Sequence, residues 1–455
     1  MRVLTKGISY IINMCVAAVA VGLIFMMSAH GTEAKAKEKV TFDIAQVEVQ
    51  PTANWSEKQL KKLVPELEKE KVDLKKLSHQ VQLTNESKAV KLNADLQPLE
   101  DGKFKAVLTA EEQKTESVAV NVNNTGNYYT GNWRMSATFM EKNLTGVSDS
   151  LGVAYVTSPG HWEDVKQAAM VYRAILPRAG DSLYISASWS DVDLGNIGNF
   201  GGIGVGATGR GTTVAAHYQH NIKYTSSHKQ ILDFGVDQKS YRNATNYDYL
   251  GTRIDDDINY DVALASVTYV DIHKKDREFL AWNVGYSTNL TDDDGFKRNR
   301  ANSDGHFHLF KAGFNYQTRT KNDWILGFRL NGQYTNDNVV TTEQFGVGGL
   351  ASVRGFKERV AYADKGLQGS FEIYTPEIGK HSRFVIFTDC AYLSNNDPRR
   401  GELDSDHIGS YGLGYRYYDK KGGWSVSVDY AHAYSNVDGA RDNLRPWHVS
   451  FTKEF

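Results

Sequence analysis

Only two of the 455 residues are cysteines, Cys15 and Cys390. Cys15 falls inside an N-terminal apolar run, so a processed chain keeps Cys390 alone. A single thiol makes neither an internal disulfide nor a thiolate metal cluster, and Cys390 reads as an inert strand residue. Basic excess is also missing. With 52 lysines and arginines against 54 acidic residues, the formal net charge is -2, which argues against a nucleic-acid partner. Proline is scarce, with 8 residues. After residue 31 no run of about 18 apolar residues occurs, so no later helix is suited to span a bilayer. In their place stand 40 glycines, 25 tyrosines and 19 phenylalanines, a composition leaning to an all-β protein. The spanning structure left open to such a chain is a closed barrel, whose signal per strand is weak.

The N-terminus carries Arg2 and Lys6, an apolar stretch from Ile8 to Met27, then Ala29-His30-Gly31. This pattern predicts a signal peptide over residues 1–31 with a small-x-small site after Gly31. An uncleaved anchor helix is the competing reading, because the apolar run nearly reaches spanning length. Residues 40–117 then mix patterns. Val40, Phe42 and Ile44 alternate; Ser56 and Gln59 form a capping box before Leu60, Leu63, Val64 and Leu67, and Pro65 should end that helix. Asp73 opens a second helical pattern with Leu74, Leu77 and Val81 on one face. Two alternating runs, Val90 to Leu96 and Phe104 to Leu108, flank the turn at Asp101-Gly102. The expected order is β-α-α-β-β, a small domain.

Alternation dominates residues 118–455. It runs through Val118, Val120 and Val122, through Trp282, Val284 and Tyr286, and through Trp424, Val426, Val428 and Tyr430. It closes with Trp447, Val449 and Phe451 before the terminal Phe455. Aromatic residues gather at strand ends, as in the girdles of outer-membrane barrels. About 16 antiparallel strands of roughly 10 residues fit, with room for turns and longer loops.

The chemical motifs are weaker than they look. Gly204 to Gly209 matches G-x-G-x-x-G, but a β-like run follows and no helix opens there to hold a phosphate, so a glycine-rich hairpin or strand is expected. Asp255 to Asp257 and Asp292 to Asp294 lack calcium-loop spacing and read as solvated loop or turn residues. His306 and His308 share a strand face without an identifiable third ligand. No G-x-S-x-G elbow is present, although a dispersed Ser/His/Asp site leaves no local signature. No catalytic residue, cofactor or metal site is therefore expected.

One stretch stands apart. From Val347 to Phe356 the chain reads VGGLASVRGF, an arginine set among glycines and apolar residues, and Glu372 and Pro376 follow. Val353-Arg354-Gly355-Phe356, with the preceding Gly348 and Gly349, resembles the V-R-G-F/Y loop of the two-partner secretion transporters. These form the haemolysin secretion/activation family, related to the outer-membrane barrel-assembly proteins. Residues 121–151 resemble that family's entry into its barrel, and Phe384 to Asp389 its strand bearing an aspartate partner for the loop arginine. Residues 40–117 resemble one POTRA domain.

The resemblance implies an all-β transmembrane barrel of about 16 strands, preceded by one small α+β POTRA-like periplasmic domain. The loop near residues 343–366 would fold inward and pair Arg354 with Asp389, with Glu372 in support. Phe455 would serve as the signal read by the barrel-assembly machinery. The implied function is outer-membrane export, and in some cases activation, of a large β-rich passenger such as a haemolysin or adhesin. Partners would be the secreted passenger, outer-membrane lipid and the assembly machinery. An assembly factor for other barrels, a barrel enzyme or a porin are the alternatives. Two features depart from the family pattern: there is room for one POTRA domain and no evident plug helix, and Ala391 stands where a glycine is usual.

Overall fold

The computed structural model describes residues 40–455 except 128–129, 191–194, 201–202, 208–210, 250–251, 436 and 438. The segment read as a signal peptide lies outside the described residues.

A small α+β unit comes first. It comprises β1 (Thr41–Val49), α1 (Glu57–Leu63), β2 (Lys71–Asp73), α2 (Leu74–Ser87), β3 (Val90–Pro98) and β4 (Phe104–Glu112). The sheet order is β2-β1-β4-β3, with β1 parallel to β4 and β3 antiparallel to it. At the start of α1 the Gln59 N–H donates to the Ser56 hydroxyl and the Ser56 N–H donates back to the Gln59 side chain. Leu60, Leu63, Leu77, Leu83, Val90 and Leu108 form the buried core between helices and sheet. Two expectations need correction. The three-residue β2 was not foreseen, because so short a strand carries no period. Leu74 is exposed: it is the first residue of α2, and the buried stripe runs through Leu77, Gln80 and Leu83.

The wall begins with β5 (Glu116–Asn123), β6 (Arg134–Glu141), β7 (Ser150–Thr157), β8 (Gln167–Leu176) and β9 (Asp181–Ser190). A hairpin of β10 (Gly195–Phe200) and β11 (Ile203–Ala207) follows, placing Gly204 to Ala207 of the glycine-rich motif on a strand. The wall continues as β12 (Gly211–Tyr224), β13 (His228–Tyr249), β14 (Thr252–Lys274) and β15 (Glu278–Asn289). After a short α3 (Gly295–Asn299) come β16 (His308–Arg319) and β17 (Ile325–Tyr334). The next loop holds β18 (Phe345–Val347), β19 (Gly355–Phe356) and β20 (Ala361–Ala363). Then come β21 (Lys365–Tyr374), β22 (Ser382–Ser394), β23 (Ser405–Asp419), β24 (Trp424–Ser435), the two-residue β25 (Leu444–Arg445) and β26 (Trp447–Glu454).

Sixteen of these strands close into one antiparallel barrel. The seam joins β26 to β5, from Ser450 opposite Asn123 to Glu454 opposite Ala119. Period-two alternation separates the faces. On β22, Phe384 and Ile386 are exposed on the outer face while Val385, Phe387, Asp389 and Ala391 are buried inside. Tyr430 on β24 packs outside against the tilted ring of Trp447 at 4.8 Å, whereas Asp429 is buried inside. Asp255 to Asp257 belong to β14, correcting the loop or turn reading.

One end of the barrel carries short turns such as 225–227 and 275–277, the other the long loops. The small unit contacts the short-turn end. Glu86 of α2 pairs with Lys229 of β13 at 2.8 Å, the Gln59 amide donates to the Gly146 carbonyl at 3.3 Å, and the His79 ring stacks on Tyr224.

Candidate functional site

The loop between β17 and β21 enters from the long-loop end and turns back into the lumen. Its local conformation explains its glycines. Gly348, Gly349 and Gly355 have φ of +110°, +98° and +92°, values that side-chain-bearing residues avoid. At Gly355 a Cβ would also lie 2.8 Å from the Ala433 methyl on β24. β19 then pairs with β25, Gly355 opposite Arg445 and Phe356 opposite Leu444. Val353 and Phe356 are fully buried in a cluster with Val347, Ala391, Leu393 and Ile408. These apolar residues on either side of Arg354 fasten the loop to the inner wall.

Arg354 is aimed by that packing at the inner faces of three strands. Its Nε and Nη2 donate to the two carboxylate oxygens of Asp389 at 2.7 and 2.8 Å, and its backbone N–H donates to the same group at 3.1 Å. Its Nη1 lies 2.9 Å from Glu372 on β21 and 3.8 Å from Asp429 on β24. The guanidinium also covers the Phe387 ring at 3.5 Å. The next residue extends the contact, since the Gly355 N–H donates to His448 Nε2 on β26 at 2.9 Å. That bond places the neutral imidazole proton on Nδ1.

Two further arginines complete the charge balance. Arg416 forks onto Asp429 at 2.8 and 2.9 Å, and Arg329 reaches Glu372 at 3.4 Å. Three arginines thus face three carboxylates. Burial alone would weaken the charged form of Arg354; the hydrogen bonds and charge of Asp389, with Glu372 and Asp429 beyond, hold its pKa above the ordinary arginine value.

The structure thus brings together Val353, Arg354, Gly355, Phe356, Glu372 and Asp389, with Gly348 and Gly349 at the loop's turn. Phe455 lies apart: its N–H donates to the Val118 carbonyl at 2.9 Å beyond the end of β26, and its ring is exposed. Asp429, His448 and Phe387 were not anticipated. Asp429 and His448 were open to detection by parity, because each sits out of phase with the aromatic positions of its strand and so faces the lumen. A second buried group pins the base of the same loop. Arg300 donates to Asp364 at 2.6 Å and to Glu402 at 3.0 Å, and Asp364 also accepts from the Gln344 amide at 3.1 Å.

Residues 102–432 match the family model described as haemolysin secretion/activation protein ShlB/FhaC/HecB. The chain belongs to this haemolysin secretion/activation family. The match covers most of the barrel and places the protein in an outer membrane. Among curated relatives is the heme/hemopexin transporter protein HuxB of Haemophilus influenzae, 22% identical over 375 residues, covering 78% of this chain. The aligned region spans 62% of that relative's length. Among solved structures, CdiB from Escherichia coli superposes with a TM-score of 0.73 at 18% identity, over 91% of this chain and 76% of that one. BamA from Haemophilus ducreyi lacking POTRA domains 1-3 gives 0.58 at 14% identity, covering 91% of this chain and 85% of that one. The chain thus shares its barrel fold with both of these solved structures.

Proposed function

We propose that the chain is a translocator of two-partner secretion, moving an unfolded, β-rich passenger protein from the periplasm through its barrel to the cell surface. The observation that carries this reading is the inward loop whose buried Arg354 is held by Asp389 and Glu372 on the barrel wall. A wall-bound element inside a lumen lets the conduit be held in one state and released into another. In this reading residues 1–31 direct export and are removed, residues 40–117 form the periplasmic POTRA-like domain, and residues 118–455 form the barrel. The nine-residue β3 lies at an edge of the small sheet, suited to capture an extended segment by strand addition. The sequence carries no nucleotide-binding motif, so folding of the passenger outside supplies the direction of movement. Phe455 acts in biogenesis as the mark read by the assembly machinery, and the chemistry is transport without catalysis.

The test is co-expression with a candidate passenger, a repeat-rich exported protein, measuring passenger in medium and on the surface. Export that depends on this chain and fails in Arg354→Ala, with the barrel still assembled, supports the reading. Export at an equal level without the chain overturns it.

A further inference from the structure

Near the short-turn end of the barrel, three donor atoms converge that serve no part of the loop site. His228 on β13 stands directly opposite His273 on β14, and Asp271 lies two residues before His273. Period-two alternation puts all three on the outer face, in phase with the exposed Phe234 and Val267. Asp271 Oδ1 is 3.2 Å from His228 Nε2 and 2.8 Å from His273 Nε2, and the imidazole rings stack at 3.8 Å. Asp271 is 3% exposed, yet neither its Oδ1 nor His228 Nε2 has a hydrogen-bond partner. Its other oxygen is held, accepting from the Tyr269 hydroxyl at 3.0 Å and the Gln230 amide at 3.1 Å.

Burying a carboxylate oxygen unsatisfied is costly. Three donor atoms lying within 4.8 Å of one another without hydrogen-bond geometry have a simpler use. Ligands about 2.0–2.1 Å from a tetrahedral metal lie roughly 3.3 Å from each other, close to the spacing here. We infer that His228, Asp271 and His273 bind one divalent transition metal ion of the zinc class. Tyr269 and Gln230 orient the carboxylate as outer groups do around metal ligands. The side chain of His273 is 42% exposed, so the fourth position opens to water. Lys223 is the competitor: its ammonium lies 2.7 Å from His228 Nδ1. A metal on Nε2 needs the ring proton at Nδ1, so Lys223 must turn aside when the ion binds. The bound ion clamps β13 to β14 one residue from Lys229, where α2 is fastened.

Untagged, full-length protein in detergent, stripped with chelator, is titrated with zinc chloride by calorimetry, and cobalt binding is followed by its visible absorption. One ion per chain is expected. His273→Gln and Asp271→Asn should each weaken binding about tenfold or more and abolish the cobalt band. Lys223→Met should tighten it. His273→Gln removes a partly exposed ring, and heat-modifiable gel migration verifies that its barrel is folded. Unchanged zinc affinity in folded His273→Gln overturns the inference. So does weaker binding by Lys223→Met, which would make the amine a ligand and the donor set wrong.

Discussion

A guanidinium that leaves water for a barrel interior must replace its hydration with fixed acceptors, and Arg354 does so with the carboxylates of Asp389 and Glu372, while its own backbone N–H donates a further bond to Asp389. Removing one member of such a buried pair strands the other charge, at a cost of about 3–5 kcal/mol. Arg354→Ala and Asp389→Ala should therefore each reduce export strongly, and the double variant should be much less than additively worse. Passenger in the medium is the readout; simple additivity would mean the two do not act as a pair. Arg354→Lys should behave nearly as Arg354→Ala, because an ammonium cannot fork onto both carboxylate oxygens. Gly355→Ala tests the backbone instead. With φ at +92° and Ala433 in the way, it should lower the heat-modification midpoint while leaving every charge in place. At this scale the sequence was legible where residue type and motif coincide: arginine between apolar anchors, glycine at positive φ. Parity alone places Asp429 in the lumen, but its pairing with Arg416 on the neighbouring strand and with the distant loop arginine leaves no local mark.

Among the elements, the inward loop is held twice, at its tip by Arg354 and at its base by Arg300 against Asp364 and Glu402. Arg300→Ala should loosen the base while the tip stays seated. Limited proteolysis should then cut between residues 335 and 364 faster than in the parent, with the barrel core resistant. The junction at α2 should respond to pH. Burial pushes the His79 imidazole pKa below its ordinary value, partly countered by Gly180 and Asp181. The packed state therefore prefers the neutral ring. Its contribution is complete above the ordinary value of 6.5 and declines as the pH falls through and below it. Cross-linking between α2 and the 225–227 turn should drop as the pH falls below about 6.5, and His79→Phe should flatten that dependence. Elements were legible where one face is apolar. The capping box at Ser56 announced α1, whereas β2 is too short to show a period, and the polar stretch around Asp255 reads as loop because its three consecutive aspartates carry no alternation of apolar residues.

For the whole molecule, alternation of aromatic and polar residues was enough to suggest a closed barrel of about this strand number, because a lipid-facing wall must repeat one pattern around its circumference. The same wall yields a test of facing. Ile386→Arg places a charge on the outer face and should cost about 2–4 kcal/mol near the bilayer midplane, less toward its edges. Gln368→Arg on the lumen side should assemble nearly as well as the parent, with urea resistance of the inserted barrel as the measure. Where strands outrun the bilayer, the wall acquires a different property. β13 and β14 pair without a register shift from His228–His273 to Tyr249–Thr252. At about 3.3 Å per residue, 22 residues make a ribbon of roughly 70 Å, against a hydrocarbon layer of about 30 Å. More than half of this ribbon stands beyond the lipid, continuous with the foot that carries Lys229. A force applied to the outer part therefore acts through a long lever arm on the Glu86–Lys229 contact at the other end of the ribbon.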